Sequence, residues 1–278
     1  MRIRIDYDTR YTYDAPARAV AQVLRVTPRN SDSQYVSNWR VDLDIDEAAP
    51  AGEDAFGNLT HAFFTTRPLN HLTITVSGEV ETTDTHGLLS GVPEFLPPDV
   101  FIRDTPLTRM DASLREFVGD VIGDDRKDTL AVLHKLLAAT HGEMAFDTDS
   151  TTAATSAVQA FALRRGVCQD LSHVFIACAR HLEIPARYVS GHLVKLDGEV
   201  EQQASHAWVE ALTPGLGWVG FDVTNGVCPS ETHVRVAVGF DYLTAAPVRG
   251  TRTGGGMEQM SVKLAVADLA QHQMQTSA

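Results

Sequence analysis

Cysteine is scarce in this chain: Cys168, Cys178 and Cys228 are the only three. So small and odd a set does not build a disulfide framework. Positive charge is also in deficit. Lys and Arg number 23 against 36 Asp and Glu, a net charge of −13. That balance disfavours neutralising a phosphate backbone or docking on anionic lipid. The one notable basic pair, Arg164–Arg165 before Gly166, reads as a solvated helix end. No apolar run approaches the ~18 residues of a membrane span. The opening stretch, MRIRIDYDTRYTYD, alternates charged and apolar residues without the apolar centre of a secretory leader. The expectation is a protein with no nucleic-acid or membrane partner, in a reducing, cytoplasmic setting that keeps thiols free.

Residues 1–90 read as an antiparallel β domain. Ile3, Ile5 and Tyr7 alternate with charged residues, as do Val41, Leu43 and Ile45; Leu72, Ile74 and Val76 alternate with Thr and Ser. Period two with one polar face marks half-buried strands. Turn residues separate them at Asp14–Pro16, Thr27–Asn30, Ala48–Asp54 and Phe56–Asn58. A sandwich-like arrangement is expected. Residues 91–107 form a Pro-rich connector, and residues 268–278 read as a frayed tail.

Over 108–267 the period becomes helical and then returns to β. Leu114, Phe117, Val118 and Val121 form one stripe; Leu130, Leu133, Leu136 and Leu137 form another. TSAVQAFALRRG reads as a short helix capped by Thr155 or Ser156, with Gly166 past its end. A fourth helix opens at Cys168 and carries Leu171, Val174, Phe175, Cys178 and Leu182 on one side. Strands follow in EIPARYVSGHLVKL, SHAWVEAL and GWVGFDVT, then a loop in RTGGGMEQ and a last strand in MSVKLAVAD. Helices followed by strands, without alternation, predict an α+β domain.

Chemistry concentrates around GVCQD. Cys168 falls in the first turn of its helix, where unpaired N–H groups and the helix dipole favour a thiolate and can hold an oxyanion. That position alone leaves three roles open: buried hydrophobe, metal ligand or nucleophile. On the following strands, His206, Trp208 and Glu210 share one face, as do Trp218, Gly220 and Asp222. A hairpin centred on Pro214 sets His206 opposite Asp222 and Trp208 opposite Gly220. A carboxylate that close can hold an imidazole N–H. Nucleophile, base and orienting acid are then all present. Asp222 could equally cap the turn that follows it, and His206 could be an ordinary half-buried histidine. No C-x-x-C or H-E-x-x-H spacing supports a metal, so no metal or cofactor is expected. His173, His181, His192 and His233 have no spacing that singles them out.

GVCQDLSHVFIACARHLEIPARYVSGHL, SHAWVEAL, GWVGFDVTNG and HVRVAVGFDYLTAAPVRG, in this order, closely resemble the bacterial transglutaminase-like superfamily, often described as cysteine proteases. YTYDAPARAVAQVLRVTPR and DAFGN resemble the N-terminal domain that accompanies that catalytic domain in bacteria. The resemblance implies a papain/transglutaminase-like α+β domain in which a helix-start cysteine packs on an antiparallel sheet. It implies Cys168 as nucleophile, His206 as general base and Asp222 as orienting acid. Gln169, Asp170, His192 and Trp208 are the cleft-lining candidates. Where the family commonly has Asp-Pro-Thr, this chain has Asp222–Val223–Thr224. The implied activity is thioester chemistry on a peptide, protein or small amide. Hydrolysis is favoured because an amine acceptor site would have to exclude water. Acyl transfer to an amine, or a binding protein that keeps only the fold, are the alternatives.

Overall fold

Alternation along the first residues produces one long strand. β1 (Arg2–Thr27) buries Ile3, Ile5 and Tyr7, then Val20, Leu24 and Val26. The computed structural model describes residues 1–123 and 126–270. β2 (Gln34–Leu43), β3 (Ala51–Glu53), β4 (Leu59–Thr65), β5 (Leu69–Thr82) and β6 (Leu88–Leu89) follow. No turn forms at Asp14–Pro16. β1 runs through it, and its pairing with β5 stops at Thr12 and resumes at Ala17. Pro16 has no N–H to give a ladder and falls in this irregular gap, a place where strands tolerate proline.

Local signals then set the helices. After a 3-10 turn at Pro98–Ile102 comes α1 (Ala112–Ile122), capped by Asp111, whose side chain accepts the Leu114 N–H. α2 (Thr129–Glu143) is capped in the same way by Asp128. β7 (Ala145–Phe146) leads to α3 (Ala157–Leu163), which opens on a reciprocal Ser156–Gln159 capping box. β8 (Arg165–Gly166) separates α3 from α4 (Cys168–His181). The remaining elements are β9 (Ala186–Leu193), β10 (Glu201–Gln202), β11 (His206–Thr213), β12 (Gly217–Phe221), β13 (His233–Gly239), α5 (Tyr242–Ala245), β14 (Val248–Gly254) and β15 (Glu258–Asp268).

Two antiparallel sheets organise the molecule. The first centres on β1, whose front half pairs with β5 and β15 and whose back half pairs with β4 and β14. Buried side chains from both halves share one core with Leu72, Ile74, Leu264 and Val266. The α+β class and the N-terminal β domain expected from the sequence are both present. The boundary expected at 108–267 does not match the pairing, because β14 and β15 both pair with β1, and β10 adds to the other edge of β15. The chain end thus returns to the N-terminal sheet. The predicted RTGGGMEQ loop contracts to a tight connection between these strands, with Gly254, Gly255 and Gly256 all at positive φ. β15 continues to Asp268, and the rest of the expected tail, 271–278, lies outside the described residues.

The second sheet has the order β13-β9-β11-β12-β6. α4 packs on it: Leu171, Val174, Phe175 and Cys178 share a core with Val209, Ala211 and Phe221. Every residue from Gln169 to Arg180 is buried, and each large apolar side chain so buried contributes about 1.5–3 kcal/mol. β13 is an edge strand, and the N-terminal domain covers its open backbone groups. Asn58 bonds the N–H and the carbonyl of Val238, each at 2.8 Å, and Gln34 does the same for Arg235, also at 2.8 Å. Among the described residues no helix is long and apolar enough to cross a membrane.

Candidate active site

The site begins where α4 begins. Cys168 is its first residue and is half-buried. Gly166 is not the C-cap of α3. Arg164 takes the left-handed cap position at φ 53°, and Gly166 is glycine for a different reason. A Cβ there would lie 2.6–2.9 Å from the Asp170 side chain. That carboxylate folds back against the loop: its Oδ2 accepts the Val167 N–H at 2.9 Å and the Thr151 hydroxyl at 2.6 Å. Burial pushes the Asp170 carboxyl up, against these two hydrogen bonds. Asp170 therefore fixes the turn that presents Cys168, and its fully buried side chain has no surface to offer a substrate. Gln169 is also tied down, its Nε2 donating to the Ala153 carbonyl at 3.3 Å.

β11 brings the base. Cys168 Sγ lies 4.0 Å from the Ser205 carbonyl oxygen, one residue before His206. The Cys168 thiol is electrostatically coupled to the His206 imidazole and favours its protonated form. His206 Nε2 meets Asp222 Oδ2 at 2.7 Å, which leaves Nδ1 as the nitrogen for the sulfur. Burial pulls the His206 proton affinity down, but Asp222 and Cys168 outweigh it and raise its pKa to about 10. Asp222 is fully buried. Burial would raise its carboxyl, yet the hydrogen bonds from His206 and His233 and the charge of His206 hold it far below the usual carboxylate range.

The three sequence-predicted residues come together, but through a different ladder from the one the sequence suggested. The β11–β12 hairpin is centred on Gly215, not Pro214: Thr213 pairs with Gly217 and Val209 with Phe221. Gly215 and Gly217, both at positive φ, accept the tight turn. The register is displaced by two residues, so each side chain keeps its face. Glu210 is opposite Gly220, and Pro229 occupies the space that glycine leaves, 2.7 Å from where a Cβ would stand. Asp222 also caps the following turn, since its Oδ1 accepts the Asn225 N–H at 3.2 Å and its Oδ2 the Asn225 Nδ2–H at 2.7 Å.

Trp208 is buried beside both histidines of the site, its ring centroid 6.1 Å from that of His206 and 5.4 Å from that of His233. Gly191 makes room for it: a Cβ there would sit 2.5 Å from the indole. His192 is placed elsewhere. It packs edge-on against Tyr7 of the N-terminal sheet at 6.0 Å, and burial lowers its pKa to about 4. His233 was not singled out in the sequence, although its Nε2 is 3.1 Å from Asp222 Oδ2. Eleven residues separate the two in the chain and only sheet pairing joins them, so no local spacing could reveal the contact. His206, Asp222 and His233 offer ligand atoms within 4.8 Å of one another, a spacing a cation could bridge. Both imidazoles are also within hydrogen-bond distance of Asp222 Oδ2. A recess of about 510 Å³ lined by Asp104, Arg109, Arg180 and His181 sits at the far end of α4, about 20 Å from Cys168 along the helix axis.

Fold and site together define an antiparallel α+β scaffold that brings a helix-start cysteine, a histidine and an aspartate together. Residues 3–81 match the family described as the bacterial transglutaminase-like N-terminal region, and residues 115–223 match the transglutaminase-like superfamily core. The chain belongs to the transglutaminase-like superfamily and carries its bacterial N-terminal region. It is 31% identical to the uncharacterized protein ML0607 of Mycobacterium leprae, over 97% of this chain and 99% of that protein. It is 28% identical to the uncharacterized protein Rv2569c of Mycobacterium tuberculosis, over 90% of this chain and 87% of that one. Among solved structures, a protein from Cytophaga hutchinsonii described as a putative cysteine protease aligns with TM-score 0.75 at 24% identity, covering 97% of this chain and 91% of that one. That likeness bears on the fold.

Proposed function

We propose that this protein hydrolyses peptide or carboxamide bonds through a thioester on Cys168. The observation that carries the proposal is the convergence of Cys168, at the start of α4 and 4.0 Å from the Ser205 carbonyl, on the 2.7 Å His206–Asp222 hydrogen bond. The Cys168 thiolate attacks the carbonyl carbon, and the carbonyl π pair moves onto oxygen. The Cys168 and Gln169 amides open α4 and have no carbonyl four residues back within the helix, so they are the groups placed to hold the oxyanion. Collapse breaks the C–N bond, and His206 Nδ1 gives its proton to the departing amine. Water then attacks the thioester while His206 takes a proton from it. The C–S bond breaks, the acid leaves and the thiolate returns. Asp222 keeps the imidazole oriented and balances its positive charge throughout.

The substrate class is an acyl group in amide linkage, in a peptide, a protein or a small amide. Nucleic acid and lipid are not partners in this proposal, given the net charge of −13. A reducing, cytoplasmic setting fits the three free cysteines. The test uses peptides with glutaminyl carboxamides and internal amide bonds, acid-quenched for mass spectrometry of Cys168 and repeated with an added primary amine. The expected result is an acyl group on Cys168 that partitions to the free acid. Amine incorporation outrunning hydrolysis replaces the hydrolase with an acyltransferase, and no acyl group on Cys168 with any peptide overturns both.

A further inference from the structure

Asp222 Oδ2 holds two more partners than a cysteine–histidine–aspartate chain requires. It receives His206 Nε2 at 2.7 Å, Asn225 Nδ2 at 2.7 Å and His233 Nε2 at 3.1 Å. The His233 ring has no freedom in how it meets this oxygen. Its Nδ1 accepts the Ser230 backbone N–H at 3.2 Å and lies 3.0 Å from the Thr232 hydroxyl. A nitrogen that accepts a backbone N–H carries no proton, so the neutral tautomer has its proton on Nε2, aimed at Asp222. The ring is itself buried, edge-on to Trp208.

The mounting of His233 is equally specific. It is the first residue of β13, the edge strand whose backbone is held two residues later by Gln34 of the N-terminal domain. A hydrogen bond from the Thr82 hydroxyl to the Glu231 carbonyl, at 2.5 Å, ties down the segment just before it. Both contacts come from the N-terminal sheet, so that sheet sets where His233 stands. The other titratable groups facing the cluster are Cys168 at the start of α4 and His206 on β11. Asp170 and Tyr188 lie beyond Cys168, and the Glu210–Arg235 ion pair, at 2.7 Å, follows along β11 and β13.

We propose that His233 is a positioning residue that competes with His206 for Asp222 Oδ2 and so limits how tightly Asp222 holds the His206 proton. The proposal rests on the thiol mechanism above. A carboxylate oxygen that already receives another N–H has less charge left for the imidazolium. His206 must accept a proton and then release it to a leaving amine, and too strong a grip would stall the second step. His233 relaxes that grip while keeping the carboxylate from turning away from His206. The N-terminal domain thereby acts on the active site through β13 without touching substrate.

The test compares the full-length protein with His233→Leu, which removes the donor, and His233→Gln, which keeps an N–H near the Nε2 position. Imidazole ¹⁵N NMR follows the His206 titration, and iodoacetamide alkylation of Cys168 is measured across pH. In His233→Leu the His206 midpoint is expected to rise by about half to one pH unit, with the alkaline limb of alkylation moving in the same direction. His233→Gln is expected to restore most of the wild-type midpoint. An unchanged or lowered midpoint in His233→Leu overturns the proposal, as does a His233→Gln midpoint equal to that of His233→Leu at matched Tm. Stoichiometric zinc retained by the purified protein would make His233 a ligand and also overturn it. Failure of the thiol mechanism would appear separately, as wild-type Cys168 reacting no faster than a free thiol near pH 6, while the NMR titration would still report on His233.

Discussion

His206 and Asp222 stand sixteen residues apart and share a 2.7 Å hydrogen bond, yet they are not cross-strand partners. The ladder partner of His206 is Gly191 on β9, and the β11–β12 pairing begins only at Val209 and Phe221. Asp222 lies just past the end of β12, in an isolated bridge with Val227, and reaches His206 from the turn. The orienting bond is therefore set by a strand end and its turn, and changes there are expected to act on the base directly.

Alkylation should single out Cys168. Cys178 is fully buried in the core, and its burial pushes the thiol up to about 12; burial also raises Cys228. At pH 6 an ordinary thiol is ionised to well under 1%. Iodoacetamide at that pH is expected to modify Cys168 about tenfold or more faster than a free thiol, with peptide mass spectrometry finding Cys178 and Cys228 unmodified. His206→Ala should bring Cys168 back to the free-thiol rate.

Asp222→Asn should change both activity and the pH dependence of stability. His206 binds its proton more tightly in the folded state, with a pKa of about 10 against an ordinary 6.5. Its stabilisation is thus complete below pH 6.5 and fades as pH rises through about 10. Asp222 is shifted the other way, so its contribution is complete above the usual carboxylate range and is lost as pH falls below it. The variant should lose about 3 kcal/mol or more near neutral pH and on the order of 10⁴-fold in turnover. Its Tm should no longer fall selectively between pH 6.5 and 10, and calorimetry across that window measures this.

The buried ion network behind the site should be unequal in its parts. Arg187 and Glu210 are 2% and 3% exposed and pair at 2.7 Å, and the Arg187 guanidinium stacks 3.9 Å from the Trp218 ring. Glu94 in the connector, which also binds Arg187, is 38% exposed. Arg187→Ala strips one of two cationic partners from the buried Glu210, which keeps Arg235, and is expected to cost about 1–3 kcal/mol. Glu94→Ala is expected to cost at most about 1 kcal/mol, because solvent screens its contribution. Urea unfolding of the two variants decides.

Glycine positions offer a contrast within one protein. Gly166→Ala drives a Cβ into the Asp170 side chain that fixes the Cys168 turn. It should cost about 1–3 kcal/mol and slow Cys168 alkylation. A Cβ on Gly119, inside α1, would meet no side chain or other segment of the described residues within 4 Å. Gly119→Ala should stabilise by about 0.5–1 kcal/mol. Thermal unfolding and alkylation rates of both variants test the pair.

The sequence by itself determined what depends on near neighbours. Alternation at Ile3–Tyr7, the leucine stripes of α1 and α2, the Ser156 cap and the helix start at Cys168 all follow from short-range periodicity and capping chemistry. The parity that puts His206 and Asp222 on one side of the hairpin was legible too, because face identity survives a two-residue slip. Tertiary structure decided the rest. The hairpin centre followed from where glycines could take positive φ. The bulge at Pro16 and the return of β14 and β15 to β1 depend on pairing across most of the chain. His233 reached Asp222 because a distant sheet holds β13 in place, with Gln34 bonding Arg235 across 201 residues. Such contacts are chosen by the closure of the whole core, and that choice leaves no mark in the spacing of residues along the chain.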